Sequence, residues 1–164
     1  VIARVAVLIV AHAPLASALR ACAEHVYACA PEALAALAVI DVAANAEHQA
    51  EVARALVSVA AIERGRGVLV LTDLFGASPA NIASQLAKPG EIEVVTGVNL
   101  PMLLGALCYC DQLSVTALAE KAQTGGSSGV MKLAATPPQN QRLARATDVT
   151  QKDDHAATRL QDQQ

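Results

Sequence analysis

Aromatic residues are almost missing: the 164-residue sequence has no tryptophan, one phenylalanine and two tyrosines. Single-stranded nucleic acid is usually gripped by stacking its bases on such rings, so this scarcity argues against that class of partner. There is no surplus of positive charge either. Twelve basic residues face 15 acidic ones, a formal net charge of −3, which leaves no basic field to attract nucleic acid or anionic lipid. No run approaches the roughly 18 apolar residues of a membrane-spanning helix. Cysteine is sparse, and Cys22, Cys29, Cys108 and Cys110 do not make a disulfide framework. A single residue separates the last two, tighter than a zinc knuckle allows, so all are read as reduced, mostly buried thiols. Neither the dinucleotide glycine fingerprint nor a nucleotide phosphate loop with its lysine occurs, and no cofactor or metal is expected.

What is present is an aliphatic core in search of a sheet. Hydrophobic residues make up 54% of the chain, mainly Val, Leu, Ile and Ala, and the length suits one domain. Ile2 to Val10 is a nearly unbroken β-branched run, the pattern of a strand covered on both faces. A secretory leader is the competing reading, with Arg4 before the run and Ala16-Ser17-Ala18 after it. Against that, the run is short, His12 and Pro14 follow at once, and Leu15, Leu19, Cys22 and Val26 then recur at helical spacing up to Pro31. Leu37 to Val42 predicts a second strand, and Asn45 is placed to cap a helix bearing Val52, Leu56 and Val59. Val68 to Leu71 predicts a third strand closing on Thr72-Asp73, after which Ser78 as N-cap and Pro79 as first residue open a helix to about residue 87. Ile92 to Thr96 predicts a fourth strand, with helices over about 101–110 and 112–123. Alternating strands and helices imply an α/β, doubly wound, mainly parallel sheet of four strands in a three-layer αβα arrangement.

Gly125-Gly126-Ser127-Ser128-Gly129 reads as a link to Val130-Met131-Lys132-Leu133, a candidate edge strand. The folded domain is expected to span residues 1–135. Beyond it, 136–164 is polar with only Leu143, Val149 and Leu160 as sizeable apolar side chains, too few to offset the entropy of ordering, so a flexible tail is expected.

In an open parallel sheet, functional groups gather at the carboxyl ends of the strands near the point where strand order reverses. There the sequence delivers His12 after strand one, Asp73 and the Gly76 to Ser78 loop after strand three, and Gly97 and Asn99 after strand four. If strands one and three are neighbours, His12 and Asp73 share a crevice. A carboxylate that holds one ring nitrogen as a donor leaves the other as a lone-pair nucleophile, competent to accept a phosphoryl group. Amides at the two helix starts, Ala13 and Gly76 among the loop residues, and the Ser78 hydroxyl are candidate phosphate donors. A receiver domain is disfavoured, because Ala11-His12-Ala13 offers no acidic metal ligands. His25 and His48 fall on helix flanks and His155 in the tail.

Three separated segments resemble the mannose-class enzyme IIA family of the phosphoenolpyruvate-dependent sugar phosphotransferase system. They are Val7 to His12, Gly67 to Asn81 and Val95 to Leu103, and the likeness extends over roughly residues 2 to 133. The resemblance implies a phosphocarrier in which His12 takes phosphate at Nε2 from HPr and passes it to a IIB partner, with Asp73 holding the ring through Nδ1. It also implies a cytoplasmic homodimer, touching a membrane only through other transporter components, with the 130–133 run as an antiparallel edge strand swapped between subunits. The sequence departs from the family pattern at Ala11 and at Ala13-Pro14, where Thr or Ser and Gly are usual. Two alternatives stay open: the phosphodonor subunit of a dihydroxyacetone kinase, which expects a fused HPr-like domain, and a non-catalytic α/β anion-binding or scaffold subunit.

Overall fold

The computed structural model describes residues 3–132. The chain divides after Val130. Beyond that point only Met131 and Lys132 are described, so the boundary expected at 135 and the polar segment 136–164 lie outside the described residues.

Four strands form one parallel sheet: β1 (Ala6–His12), β2 (Leu37–Val42), β3 (Val68–Thr72) and β4 (Ile92–Thr96), in the order β2-β1-β3-β4. Among the described residues five helices accompany them: α1 (Leu15–Val26), α2 (His48–Ile62), α3 (Ser78–Ser84), α4 (Leu100–Tyr109) and α5 (Val115–Ser128). A single 3₁₀ turn, Pro31–Leu34, precedes β2. The expected α/β layering is realised because successive side chains on a strand point to opposite faces. Val7, Ile9, Leu69 and Leu71 join the cluster covered by α1, α4 and α5, while Leu8, Val10, Val68 and Val70 join that covered by α2 and α3. Both central strands are therefore apolar up to their last residues, His12 and Thr72, which accounts for their hydrophobic runs.

Local readings are corrected in several places. The buried stripe of α1 is Ala16, Leu19 and Ala23, with Leu15, Cys22 and Val26 exposed. On α2 it is Val52, Ala55 and Val59, with Leu56 exposed. Alanine rather than the larger residue faces the sheet, letting the helices approach closely. The caps also differ. Glu47, not Asn45, caps α2 by accepting from the Gln49 and Ala50 amides at 3.1 and 2.7 Å, and this holds its carboxyl below the ordinary value. Ala77, not Ser78, is the N-cap of α3, which ends at Ser84.

A further correction concerns the end of the domain. Gly125 to Ser128 belong to α5 rather than to a linker, and Val130, Met131 and Lys132 form no strand; Leu133 lies outside the described residues. No antiparallel strand joins the sheet among the described residues. The glycines serve close packing of α5 on α4. A Cβ at Gly126 would lie 2.6 Å from Met102 Cε, and one at Gly129 2.6 Å from Pro101 Cγ. Asn99, which caps α4 through the Met102 amide, also donates from Nδ2 to the Gly126 carbonyl at 3.1 Å. Cysteine burial is likewise narrower than expected: only Cys110 is buried, where desolvation raises its pKa, while Cys22, Cys29 and Cys108 are exposed.

Entry into β3 depends on Gly67. Its φ is +84°, its amide donates to Glu63 Oε1, and a Cβ there would meet the Glu91 carbonyl oxygen at 2.5 Å. Gly65 also has positive φ, +88°, but open space around it. Thermal melts of Gly65→Ala should show only conformational strain, about 1–2 kcal/mol. Gly67→Ala should lose more than this in the same measurement, because the Glu91 backbone must also shift.

Candidate functional site

The β2-β1-β3-β4 order makes β1 and β3 neighbours, with Val10 opposite Thr72 in the parallel register. His12, two residues beyond Val10, and Asp73, one beyond Thr72, therefore emerge side by side although 61 positions apart in sequence. His12 Nδ1 lies 2.7 Å from Asp73 Oδ2. The same oxygen accepts the His12 backbone N–H at 2.9 Å, and Asp73 Oδ1 accepts the Leu74 N–H at 2.8 Å. The backbone of Asp73 is clasped from the next strand, since Gly97 N–H donates to its carbonyl at 2.8 Å and Val98 N–H to that of Thr72 at 2.9 Å. Thr72 itself is fully buried, and its Oγ1 has no partner among the described residues.

Exposure divides the pair by role. The Asp73 side chain is 13% exposed and the His12 side chain 49%. Burial raises the Asp73 pKa, but the His12 backbone N–H, the His12 ring, the Leu74 N–H and the charge of His12 outweigh it, so the carboxyl titrates below its ordinary value. An ionised carboxylate can only accept, so in the neutral ring the proton belongs on Nδ1. Nε2 makes no hydrogen bond among the described residues, and in the neutral ring with Nδ1 protonated it is the nitrogen that carries the lone pair.

The other candidate residues are arranged less directly. The Ala13 N–H is committed to the Val42 carbonyl at 3.0 Å. Gly76, at φ +82°, turns the loop after Asp73, and its carbonyl accepts from Asn81 Nδ2 at 3.4 Å. Ser78 is exposed at the start of α3, and its hydroxyl is not used in capping. Sequence reasoning missed Asp41. From β2 it accepts the Ala16 and Ser17 amides at 3.0 and 3.2 Å and the Ser17 hydroxyl, so two donors expected to be open at the α1 start are taken. A lone acid inside the apolar run Leu37 to Val42 was the available signal. His25 is exposed on α1, His48 opens α2 with Nε2 2.7 Å from Gln85 Nε2, and His155 lies outside the described residues.

Among the described residues no cluster of three His, Cys, Asp or Glu side chains is placed to hold a metal ion. No helix among them is long and apolar enough to cross a membrane. A cavity of about 780 Å³ opens at the opposite end of the sheet, between Val59, Gly67, Ile92 and Val115, remote from His12.

The depressed Asp73 pKa has a sign. It adds stability above the unfolded carboxylate value, near 3.9, and that contribution is lost as pH falls through the lower folded value. Asp73→Asn should therefore shallow the acid limb of the stability curve below about pH 5. Denaturant melts across that range read the slope; an unchanged acid limb would contradict the ion pair.

Comparison with known proteins bears on this arrangement. The mannose-class IIA family, described as PTS system fructose IIA component, matches residues 6–123. The PTS system mannose-specific EIIAB component of Escherichia coli K12 is 40% identical over 81 residues, 48% of this chain and 25% of that protein. The PTS system sorbose-specific EIIA component of Lacticaseibacillus casei is 40% identical over 63 residues, 37% of this chain and 46% of that protein. The matched segment thus spans a quarter to a half of the length of these relatives. In structure, the chain is similar to the mannose/sorbose specific IIA subunit from Enterococcus faecalis, with TM-score 0.69, 23% identity and coverage of 81% of this chain and 97% of that one. It is similar too to the phosphotransferase component EIIA from Streptococcus agalactiae, with TM-score 0.68, 24% identity and coverage of 78% and 96%. At those identities the structural likeness concerns the fold. With the family match spanning residues 6–123, the chain belongs to the mannose-class IIA family of the sugar phosphotransferase system.

Proposed function

We propose that this chain is a phosphoryl carrier in which His12 Nε2 accepts phosphate from phospho-HPr and passes it to a IIB partner. The observation that carries the reading is the 2.7 Å contact between Asp73 Oδ2 and His12 Nδ1 beside a half-exposed ring. With the proton held on Nδ1, the Nε2 lone pair attacks phosphorus without first losing a proton. The new bond is N–P at His12, and the bond to the donor's imidazole breaks as its electron pair returns to that ring. Positive charge developing on the His12 ring is offset by the Asp73 carboxylate, which also fixes the ring's orientation. Phosphoryl transfer asks for little else than positioning and donors for the equatorial oxygens. Gly76 and Ser78, on the loop that follows Asp73, are proposed to supply such donors. The Ala13 amide, bonded to Val42, contributes only if that bond opens.

The proposal extends to cytoplasmic work and to a homodimer. It leaves the sugar and the IIB partner unassigned.

Incubation with phosphoenolpyruvate, enzyme I and HPr should add one acid-labile phosphate, absent in His12→Ala. A full phosphate load on His12→Ala would overturn the assignment. Asp73→Asn should stay folded yet accept phosphate about 100-fold more slowly, the scale of a lost orienting partner in proton-coupled catalysis. Quench-flow with labelled phospho-HPr measures the rate; wild-type rates would contradict the role.

A further inference from the structure

Asp73 ends β3, yet part of what fixes its backbone comes from beyond β4. Gly97 N–H donates to the Asp73 carbonyl at 2.8 Å and Val98 N–H to the Thr72 carbonyl at 2.9 Å. Gly97 brings no rigidity of its own. Its φ is +80°, and a Cβ placed on it would meet nothing within 4 Å, so packing does not hold the turn there. Whatever keeps these two amides aimed at β3 has to act from the far side of the turn.

Asn99 stands on that side and makes two bonds with one amide. Its Oδ1 accepts the Met102 N–H at 3.0 Å, which caps α4, and its Nδ2 donates to the Gly126 carbonyl of α5 at 3.1 Å, 27 positions away. Capping needs the oxygen alone, and Ser or Asp would supply it as well. Nδ2 does different work. Gly126 lies in the last turn of α5, where carbonyls run out of intrahelical donors. Val130 N–H, which would serve Gly126 in a continuing helix, donates to the Ser127 carbonyl at 3.2 Å instead. The start of α4 and the end of α5 are thus tied through one side chain, and Gly126 leaves room for it. A Cβ at that position would stand 3.1 Å from Met102 Cβ and 3.4 Å from Asn99 Nδ2. The turn Gly125-Gly126-Ser127-Ser128 is of weak helix propensity, so this external bond bears on whether it stays closed.

We propose that Asn99 is a positioning residue for the His12–Asp73 pair, and that through its Nδ2 the last turn of α5 sets how firmly the Gly97 and Val98 amides hold Asp73. Asn99 touches none of the reacting atoms. Its effect on phosphate transfer rests on the carrier reading above; its effect on the His12 ring does not. Coupling of this kind runs through hydrogen bonds between rigid elements and shows itself as non-additivity.

The test uses Asn99→Ser and Asn99→Asp, which keep an acceptor for the Met102 N–H and lose the donor to Gly126, and Gly126→Ala, which presses on the same contact from α5. Each is read by quench-flow with phospho-HPr and by long-range ¹⁵N–¹H correlation of the His12 imidazole. All three should accept phosphate about 3- to 10-fold more slowly, the scale of one hydrogen bond, through kcat and with KM within about twofold. Their His12 nitrogen shifts should move toward each other, because a less firmly held Asp73 lets Nε2 share the proton of Nδ1. The double variant Asn99→Ser with Gly126→Ala should be no slower than the slower single variant. A lowered melting temperature with wild-type kcat and an unshifted ring would make Asn99 a helix cap alone and overturn the proposal. Additive losses in the double variant would overturn it as well, since the two residues would then act through separate contacts. If wild type takes no phosphate from phospho-HPr, the carrier reading falls by itself. The ring spectra of the same variants then decide the positioning role, with shifted nitrogens supporting it and unshifted ones ending it.

Discussion

The Asp73 carboxylate is the constraint on which the rest of the site depends. Oδ2 receives both the His12 ring and the His12 backbone N–H, Oδ1 receives the Leu74 N–H, and the residue's own carbonyl receives the Gly97 N–H. Three strand ends are thereby tied to one residue. Desolvating a carboxylate is costly unless its lone pairs are met by donors, and three donors meet these. The outcome is an ionised group at the sheet edge that dictates where the neighbouring imidazole keeps its proton.

On the proposed carrier reading, that arrangement puts the chemistry at the open carboxyl end of the sheet instead of in the cavity at the far end. An enzyme of small molecules gains from enclosure, which excludes water and strengthens local electrostatics. A group that exchanges phosphate with other proteins must be reached by their side chains, and a half-exposed histidine backed by a largely buried aspartate satisfies both needs. The cavity bounded by Gly67, Ile92 and Val115 lies where strands begin, and Arg66 beside it is spent on the carbonyls of Ala3, Asp111 and Leu113.

The sheet was legible in the sequence because its signals are local and strong. Unbroken aliphatic runs at 68–71 and through Val10 have the pattern of strands covered on both faces, and the β/α alternation then restricts the topology. Asp73 and His12 were legible for the same reason, as polar residues that end such runs. What failed were features decided by partners distant in sequence. Gly126 and Gly129 resemble a linker until Met102 and Pro101 are seen against them, and a helix of ordinary propensity continues where close packing outweighs the glycine penalty. The α2 cap is Glu47 instead of Asn45 because the helix starts at His48, where the Glu47 carboxylate meets the Gln49 and Ala50 amides. Asp41 was hidden because its work is done across strands, on the start of α1.

The central claim is that Asp73 fixes the tautomer of His12, and long-range ¹⁵N–¹H correlation of the imidazole at a pH where the ring is neutral tests it most directly. The account predicts a protonated Nδ1 and an unprotonated Nε2 at His12, with that pattern lost in Asp73→Asn. A wild-type ring carrying its proton on Nε2 would contradict it.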